Sequence, residues 1–290
     1  MNRREALIGV GVSMSAALSA CHGDAAPTPQ VETIDMNALK PDLERIAAAR
    51  ILFAHQSVGR NILQGVHRLA VAAGVPLHLE LIEALPPIQG QGQRQGQGPG
   101  VFHLNIGQNG QPEGKVDAFV KLLTQAQPPN FDAAMLKFCY VDLEDADAAR
   151  PAHLLEHYLK GVAQLQALRP DLRLVHATMP LRAQPSGWKT TVNRLLGRPA
   201  WGDTDHLRRN AYNAALLNAL KQRDANAPVL DIAALESTHA NGERSQFTVQ
   251  AAPVYTLAPE YTDDGGHLNA AGQQRVAAAW ISVFARALSH

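Results

Sequence analysis

Short apolar segments alternate along the chain with segments whose apolar residues recur at helical spacing, and this alternation constrains the fold most. A strand, a helix and a further strand in succession are typical of a parallel sheet with helices on both faces. The sequence therefore predicts an α/β protein with three layers, α/β/α, built on a flavodoxin-like, parallel, five-stranded sheet. The predicted strands are residues 50–55, 77–82, 132–139, 172–178 and 228–232, and the predicted helices are 41–50, 57–73, 150–168, 205–223 and 269–288.

Two stretches interrupt this alternation. Residues 86–114 contain a run of glutamine and glycine, which predicts a low-complexity insertion without packing of its own. Residues 181–204 form a long predicted loop that contains Trp188 and Trp201. Long loops on a compact domain are usually functional or disordered. The two tryptophans are candidates for stacking on sugar rings, and local packing is the alternative.

The first 36 residues have the features of an export signal and a tether. Arg3 and Arg4 precede an apolar stretch, 7–17, that is too short to span a membrane comfortably. Residues 18–21 resemble a bacterial lipobox, which predicts cleavage before Cys21 and acylation of the Cys21 thiol. The protein would then be lipid-anchored to the membrane of the cell envelope. An ordinary secretory peptide is the alternative. The predicted organisation is a signal at 1–21, a flexible tether at 22–36 and one domain at 37–290.

Charge and cysteine content narrow the class of protein. Lysine plus arginine number 26 and aspartate plus glutamate also 26, so the chain lacks the basic excess typical of nucleic-acid binding. Cys21 and Cys139 are the two cysteines of the sequence. If Cys21 carries lipid, no disulfide framework supports the fold, and stability depends on the apolar core.

Three residue types that together carry out acyl transfer lie at the ends of predicted elements. Ser57 follows the first strand and begins a helix, whereas Asp264 and His267 stand just before the last helix. A serine, a histidine and a carboxylate in contact form a nucleophilic triad. Asp263 competes with Asp264 for the acidic role, and the spacing to His267 favours Asp264. The simpler alternative for Ser57 is that its side chain caps the helix.

These two segments resemble the SGNH, or GDSL-type, serine hydrolase superfamily. Residues 51–57 resemble its first block, with His55 and Gln56 in place of glycine and aspartate, and residues 264–269 closely resemble its last block, Asp-x-x-His-Leu-Asn. Residues 174–180 and 229–232 resemble the family's later strands. The resemblance covers most of the chain from about residue 50, and it implies the three-layer fold and catalysis by Ser57, His267 and Asp264.

The middle blocks of the family match less well. The oxyanion glycine of the second block is expected within residues 105–110, with Gly107 the best candidate and an ordinary loop glycine the alternative. In the third block, Gly-x-Asn-Asp, the register ending at Asp142 places Val141 where the family has its asparagine. The side-chain oxyanion donor is then missing, and either Asn109 or Asn105 replaces it or activity is low.

The resemblance implies a serine esterase or acyl hydrolase that needs neither metal nor cofactor. An envelope location points to an ester substrate such as an acylated, for example acetylated, polysaccharide. Two alternatives stay open at this stage. One is a non-catalytic glycan-binding or scaffolding lipoprotein with a degenerate site, and the other is an O-acyltransferase that uses the same triad.

A metallopeptidase is a further alternative, because His153, Glu156 and His157 match the inverted zincin pattern His-x-x-Glu-His. These side chains belong to the polar face of a helix that is expected to pack on the flank of the sheet, away from the strand ends. A chance match on a solvated face explains the motif more simply. Lys137 and Cys139, near the end of the third strand, are interpreted as structural.

Overall fold

The computed structural model describes residues 34–82, 98–125, 130–185, 192 and 202–289. The predicted signal with Cys21, the tether up to residue 33, and both Trp188 and Trp201 lie outside the described residues. Among the helices of these ranges, none is long and apolar enough to cross a membrane.

A six-stranded parallel sheet forms the centre of the molecule, with the order β2-β3-β1-β4-β5-β6. Its strands are β1 (Arg50–His55), β2 (Leu79–Leu81), β3 (Gly100–Asn105), β4 (Ala133–Leu136), β5 (Arg173–Ala177) and β6 (Val229–Leu230). The helices are α1 (Met36–Ala47), α2 (Ser57–Ala72), α3 (Pro112–Thr124), α4 (Arg150–Leu168), α5 (Asp203–Arg223), α6 (Ile232–Ser237) and α7 (Ala270–Ala287). Two 3₁₀ turns (Tyr140–Leu143 and Pro259–Tyr261) and an antiparallel hairpin of β7 (Gln246–Val249) and β8 (Ala252–Tyr255) complete the described elements.

Two hydrophobic cores lie on opposite faces of the sheet, because successive side chains of a strand point to opposite sides. Ile51 and Phe53 of β1 pack into the core formed with α1, α2 and α7, whereas Leu52 and Ala54 pack into the core formed with α3, α4 and α5. All four side chains are fully buried. A continuous apolar strand is expected where helices cover both faces. The predicted α/β/α layering with a parallel sheet is confirmed.

The predicted number of strands is wrong, because β3 lies inside the segment predicted as an unpacked insertion. Val101, Phe102 and Leu104 of this strand are buried, and the strand pairs with β1 in the register Arg50↔Gly100. The glutamine- and glycine-rich run precedes these residues, so the apolar residues that follow it were wrongly assigned to the same segment. Helix α3 begins in the same predicted insertion, and neither it nor the β7–β8 hairpin was predicted.

The first helix also differs from its prediction. It begins at Met36 rather than Pro41, because the Asp35 carboxylate accepts hydrogen bonds from the backbone N–H groups of Asn37 and Ala38. A side-chain cap of this kind satisfies helix N–H groups that have no partner inside the helix. Pro41 consequently lies within the helix rather than in its first turn.

The strand order places a topological switch point at β1, which has β3 on one side and β4 on the other. The chain moves from β1 outward to β2 and returns to β3, and it then crosses β1 to form β4 and the strands beyond it. In open α/β sheets, ligands bind outside the carboxyl ends of the strands at such a point. The carboxyl ends of β1, β3 and β4 lead into Ser57, into the segment 105–110 and into the segment 137–142, respectively.

Candidate active site

Ser57 is the first residue of α2 and follows β1 after a single intervening residue, Gln56. Gln56, not Ser57, occupies the N-cap position, and it makes no side-chain capping hydrogen bond. The alternative in which the Ser57 side chain caps the helix is therefore wrong. The Ser57 hydroxyl instead lies 3.0 Å from Nε2 of His267.

A chain of two hydrogen bonds joins the three residues predicted to form a triad. Besides the contact between Ser57 Oγ and His267 Nε2, the distance from His267 Nδ1 to Asp264 Oδ2 is 2.6 Å. A carboxylate can only accept, so Nδ1 carries the proton and Nε2 is left as an acceptor for the serine hydroxyl. This is the tautomer that a general base needs.

Backbone geometry holds the Asp264 carboxylate in its charged form. Its Oδ1 accepts hydrogen bonds from the backbone N–H groups of His267 at 2.7 Å and Gly266 at 2.9 Å. Partial burial by itself would raise the pKa of Asp264, but these bonds and the bond from the His267 ring outweigh it and hold the pKa well below its usual range. Asp263 makes no such contact with His267, and its Oδ1 lies 3.3 Å from Nδ2 of Asn269.

Contacts to α2, to α7 and to Tyr140 hold the chain at His267 in place. The Asn269 side chain caps α7 by accepting from the N–H groups of Ala271 and Gly272. The neighbouring N–H of Leu268 donates to the Asn61 side chain on α2, at 3.3 Å. The Tyr140 ring lies edge-on to the His267 ring with 6.0 Å between centroids. These contacts determine the position of the imidazole relative to Ser57.

The segment expected to supply oxyanion donors is attached to the residues just before Ser57. The N–H of Ile106 donates to the His55 carbonyl at 3.0 Å, and Nε2 of Gln56 donates to the carbonyls of Ile106 at 2.7 Å and Gly107 at 3.1 Å. Gly107 has a φ of +58°, and a Cβ there would lie 2.8 Å from the Lys115 side chain. The position thus requires glycine for its conformation and for its close approach.

The two asparagines of this segment lie at the same edge of the sheet. Asn105 ends β3 beside His55 of β1, and it is exposed. The side-chain oxygen of Asn109 accepts a hydrogen bond from Nζ of Lys115 at 2.9 Å. The structure therefore brings Asn105, Gly107 and Asn109 to the edge that carries Ser57.

A buried ion pair between Lys115 and Asp142, which was not predicted, is hydrogen-bonded to residues 109 and 110 of the segment 105–110. Nζ of Lys115 lies 2.8 and 2.7 Å from the two carboxylate oxygens of Asp142, and both side chains are completely buried. Asp142 also accepts from the N–H groups of Gly110 at 2.9 Å and Cys139 at 2.8 Å. The Asp142 carboxylate thus joins the loop after β3 to the loop after β4. A lysine on the apolar face of α3 was the available signal in the sequence.

Replacing Asp142 by asparagine is expected to lower the free energy of unfolding by about 3–5 kcal/mol, because it leaves the buried Lys115 ammonium without a counter-charge. Urea denaturation measures the change. Asp171→Asn is the matched control, since Asp171 pairs with Arg169 at the surface with 59% of its side chain exposed. A pair of that kind contributes roughly 0–1 kcal/mol. Equal losses in the two variants would contradict this account of Asp142.

The metallopeptidase motif does not form a metal site in the described structure. His157 lies on α4, where its Nε2 is 2.8 Å from Asp117 Oδ1 on α3, and both side chains are partly or largely exposed. Within the ranges that the structure describes, there is no group of three or more histidine, cysteine, aspartate or glutamate side chains suited to hold a metal ion. His157, one of the three motif residues, instead makes a polar contact between α4 and α3.

Comparisons with known proteins match the chain through structure alone. No family model and no curated protein sequence matches it. One similar solved structure is a carbohydrate esterase family 3 protein from Talaromyces cellulolyticus, with 13% identity and a TM-score of 0.45, covering 83% of this chain and 97% of that one. Another is an acetyl esterase variant solved with an acetate ion, with 13% identity, a TM-score of 0.43 and the same coverages. The molecule itself is a three-layer α/β/α protein with a Ser-His-Asp hydrogen-bond chain at the switch point of its parallel sheet.

Proposed function

We propose that the protein is a serine ester hydrolase in which Ser57 is the nucleophile, His267 the general base and Asp264 the residue that orients and stabilises His267. The observation that carries this proposal is the continuous hydrogen-bond chain from the Ser57 hydroxyl through both ring nitrogens of His267 to the Asp264 carboxylate. The resemblance of residues 51–57 and 264–269 to the first and last SGNH blocks supports the same assignment.

The reaction proceeds in two steps. In the first, Nε2 of His267 takes the Ser57 proton while Oγ attacks the ester carbonyl; the tetrahedral intermediate then collapses, and the alcohol leaves with the proton from His267. In the second, His267 takes a proton from water, the hydroxide attacks the acyl-enzyme, and the acid is released as Ser57 regains its proton. Asp264 remains ionised throughout and stabilises the imidazolium.

The negative oxygen of both intermediates is assigned to the backbone N–H groups of Ser57 and Gly107. The N–H of Ser57 belongs to the first turn of α2, where helix N–H groups have no partner inside the helix and favour a negative charge. The resembled family has an asparagine side-chain donor at the position that Val141 occupies in the proposed register, and valine has no donor. Val141 lies in the 3₁₀ turn Tyr140–Leu143. Asn105 and Asn109 are the candidates to supply a third donor.

The substrate is proposed to be an ester on a glycan, with acetyl as the simplest acyl group. The side chains of His267 and Asp264 are 40% and 56% exposed, and a catalytic pair that faces solvent suits an ester carried on a polymer. The predicted lipid anchor at Cys21 would place the protein at the bacterial cell envelope, where such glycans occur. Transfer of the acyl group to a sugar hydroxyl uses the same triad and differs only in the acceptor.

Turnover of p-nitrophenyl acetate and of an acetylated polysaccharide by the purified protein tests the proposal. We expect release of nitrophenol and acetate. A second assay contains an added sugar whose hydroxyl groups can accept the acyl group. It separates hydrolysis from transfer, because transfer gives an acetylated sugar in place of free acetate. Folded protein that turns over neither ester would favour the binding or scaffolding alternative.

A further inference from the structure

We propose that His55 is a positioning residue for the oxyanion site, acting through the peptide bond between Gln56 and Ser57. This inference rests on the proposed function and goes beyond the triad. His55 occupies a position where the resembled family has glycine, so the role belongs to this chain. Its side chain is completely buried at the end of β1, so the proposed role is indirect.

The hydrogen bonds of His55 determine which of its ring nitrogens carries a proton. Nδ1 lies 2.7 Å from the Gln56 carbonyl oxygen, which only accepts, so Nδ1 donates to it. In the neutral ring, Nε2 is then an acceptor, and it lies 3.1 Å from Nδ1 of His103 on β3. His103 must therefore donate from its own Nδ1. The result is a directed chain from His103 to His55 to the Gln56 carbonyl.

The surroundings of His55 keep this chain neutral and correctly polarised. Burial lowers the pKa of His55 to about 3, an effect that the bond to the Gln56 carbonyl partly opposes and that nearby Lys137, His103 and Arg60 reinforce. Burial and Arg60 also lower the pKa of His103. A protonated ring at either position would remove the acceptor at Nε2 of His55 or place an extra charge in the core.

The peptide that accepts from His55 also carries the Ser57 N–H, the donor assigned to the oxyanion. A hydrogen bond to the carbonyl of an amide polarises the amide and strengthens its N–H as a donor. It also fixes the peptide plane, which the N–H of Gly59 holds further by donating to the same carbonyl at 2.9 Å. The Gln56 side chain binds the carbonyls of Ile106 and Gly107, so residues 55 and 56 orient both proposed backbone donors.

Gly59, in the first turn of α2, packs directly against the His55 side chain. A Cβ at position 59 would lie 2.3 Å from both Cβ and Cγ of His55, a separation that atoms do not adopt. The first turn of α2 therefore passes directly over the imidazole only because residue 59 has no side chain. This contact places the ring under the turn that begins with Ser57.

The test compares His55→Phe, which keeps a ring but removes the donor, with His55→Asn, whose amide N–H replaces the Nδ1 donor. We expect His55→Phe to lower kcat for p-nitrophenyl acetate about 10–100-fold with KM little changed, less than the roughly 10²–10³-fold loss on removing an oxyanion donor outright. His55→Asn is expected to restore most of the loss. If His55 had a purely structural role, kcat would not fall while KM stayed the same. The two variants would also have the same kcat whenever their stabilities were equal.

A second variant and a spectroscopic measurement do not depend on the folding of His55→Phe. His103→Leu removes the donor to Nε2 of His55, and we expect kcat to fall about 3–10-fold, a fraction of the effect of an oxyanion donor. Two-bond ¹⁵N–¹H correlation spectra of the full chain are expected to show both rings neutral and protonated at Nδ1. A His55 ring protonated at Nε2 would overturn the proposal.

The remaining outcomes separate this inference from the proposed function. Ester turnover that persists in Ser57→Ala would overturn both. Turnover that requires Ser57 but is unchanged in folded His55→Phe and in His103→Leu would overturn only the role of His55. Equal losses in His55→Phe and His55→Asn, accompanied by equal losses of stability, would also overturn it, because packing alone would then explain them.

Discussion

Ser57→Ala is expected to lower kcat for ester hydrolysis by about 10⁴–10⁶-fold, because it removes the hydroxyl that lies against Nε2 of His267 and forms the acyl-enzyme. The residual rate would come from the oxyanion donors and from His267 acting on water. Stability should change little, since Gln56 occupies the N-cap position and alanine is well tolerated in a helix. Steady-state kinetics with p-nitrophenyl acetate measures the effect.

Ser289→Ala is the matched control for this variant. Ser289 lies just after the end of α7, and its hydroxyl donates to the carbonyl of Ala285. Ser289 makes no contact with the residues of the candidate site. Its kcat should equal that of the unchanged protein. If Ser57→Ala retained the activity of the Ser289→Ala control, the proposed nucleophile would be wrong.

Asp264→Asn is expected to lower kcat by roughly 10³–10⁴-fold, since the effect acts through the tautomer of His267. An asparagine oxygen can still accept from the N–H groups of Gly266 and His267, which keeps the loop in place. Its amide group then faces Nδ1 of His267 and donates to it. The ring proton moves to Nε2, which can no longer accept the proton of Ser57.

Asp263→Asn provides a control that differs by one position. Asp263 lies near Asn269 and makes no contact with the imidazole, whereas Asp264 bonds both the ring and the backbone of His267. Near-normal activity is expected for Asp263→Asn. The assignment of the acidic residue would be reversed if Asp263→Asn were the inactive variant and Asp264→Asn the active one.

The parts of the fold that could be predicted are those determined by local pattern. β1 and β4 were predicted in place, because burial on both faces leaves an apolar run within each strand. β3 was missed because its apolar residues directly follow a glutamine- and glycine-rich run that dominates the local composition. Its status as a strand depends on pairing with β1, which is a tertiary contact.

The candidate site likewise contains parts that could be predicted from the sequence and parts that could not. The juxtaposition of Ser57, Asp264 and His267 was predicted, because the last two are three residues apart and the strand-to-helix turn determines the position of the first. The buried pair of Lys115 and Asp142 was not predicted, because α3, the helix that carries Lys115, was not predicted and no sequence pattern links the two residues. The bond between His55 and a histidine 48 positions away depends likewise on the pairing of β1 with β3.

Covalent labelling with a fluorophosphonate tests the central claim most directly, because the reagent reacts with a serine only when a base activates it and donors stabilise the phosphoryl oxygen. Mass spectrometry of the labelled and digested protein measures where the adduct forms. The account predicts one adduct, on Ser57, that is absent from Ser57→Ala and strongly reduced in His267→Ala. A folded protein that forms no adduct, or forms it at another residue, would contradict the account.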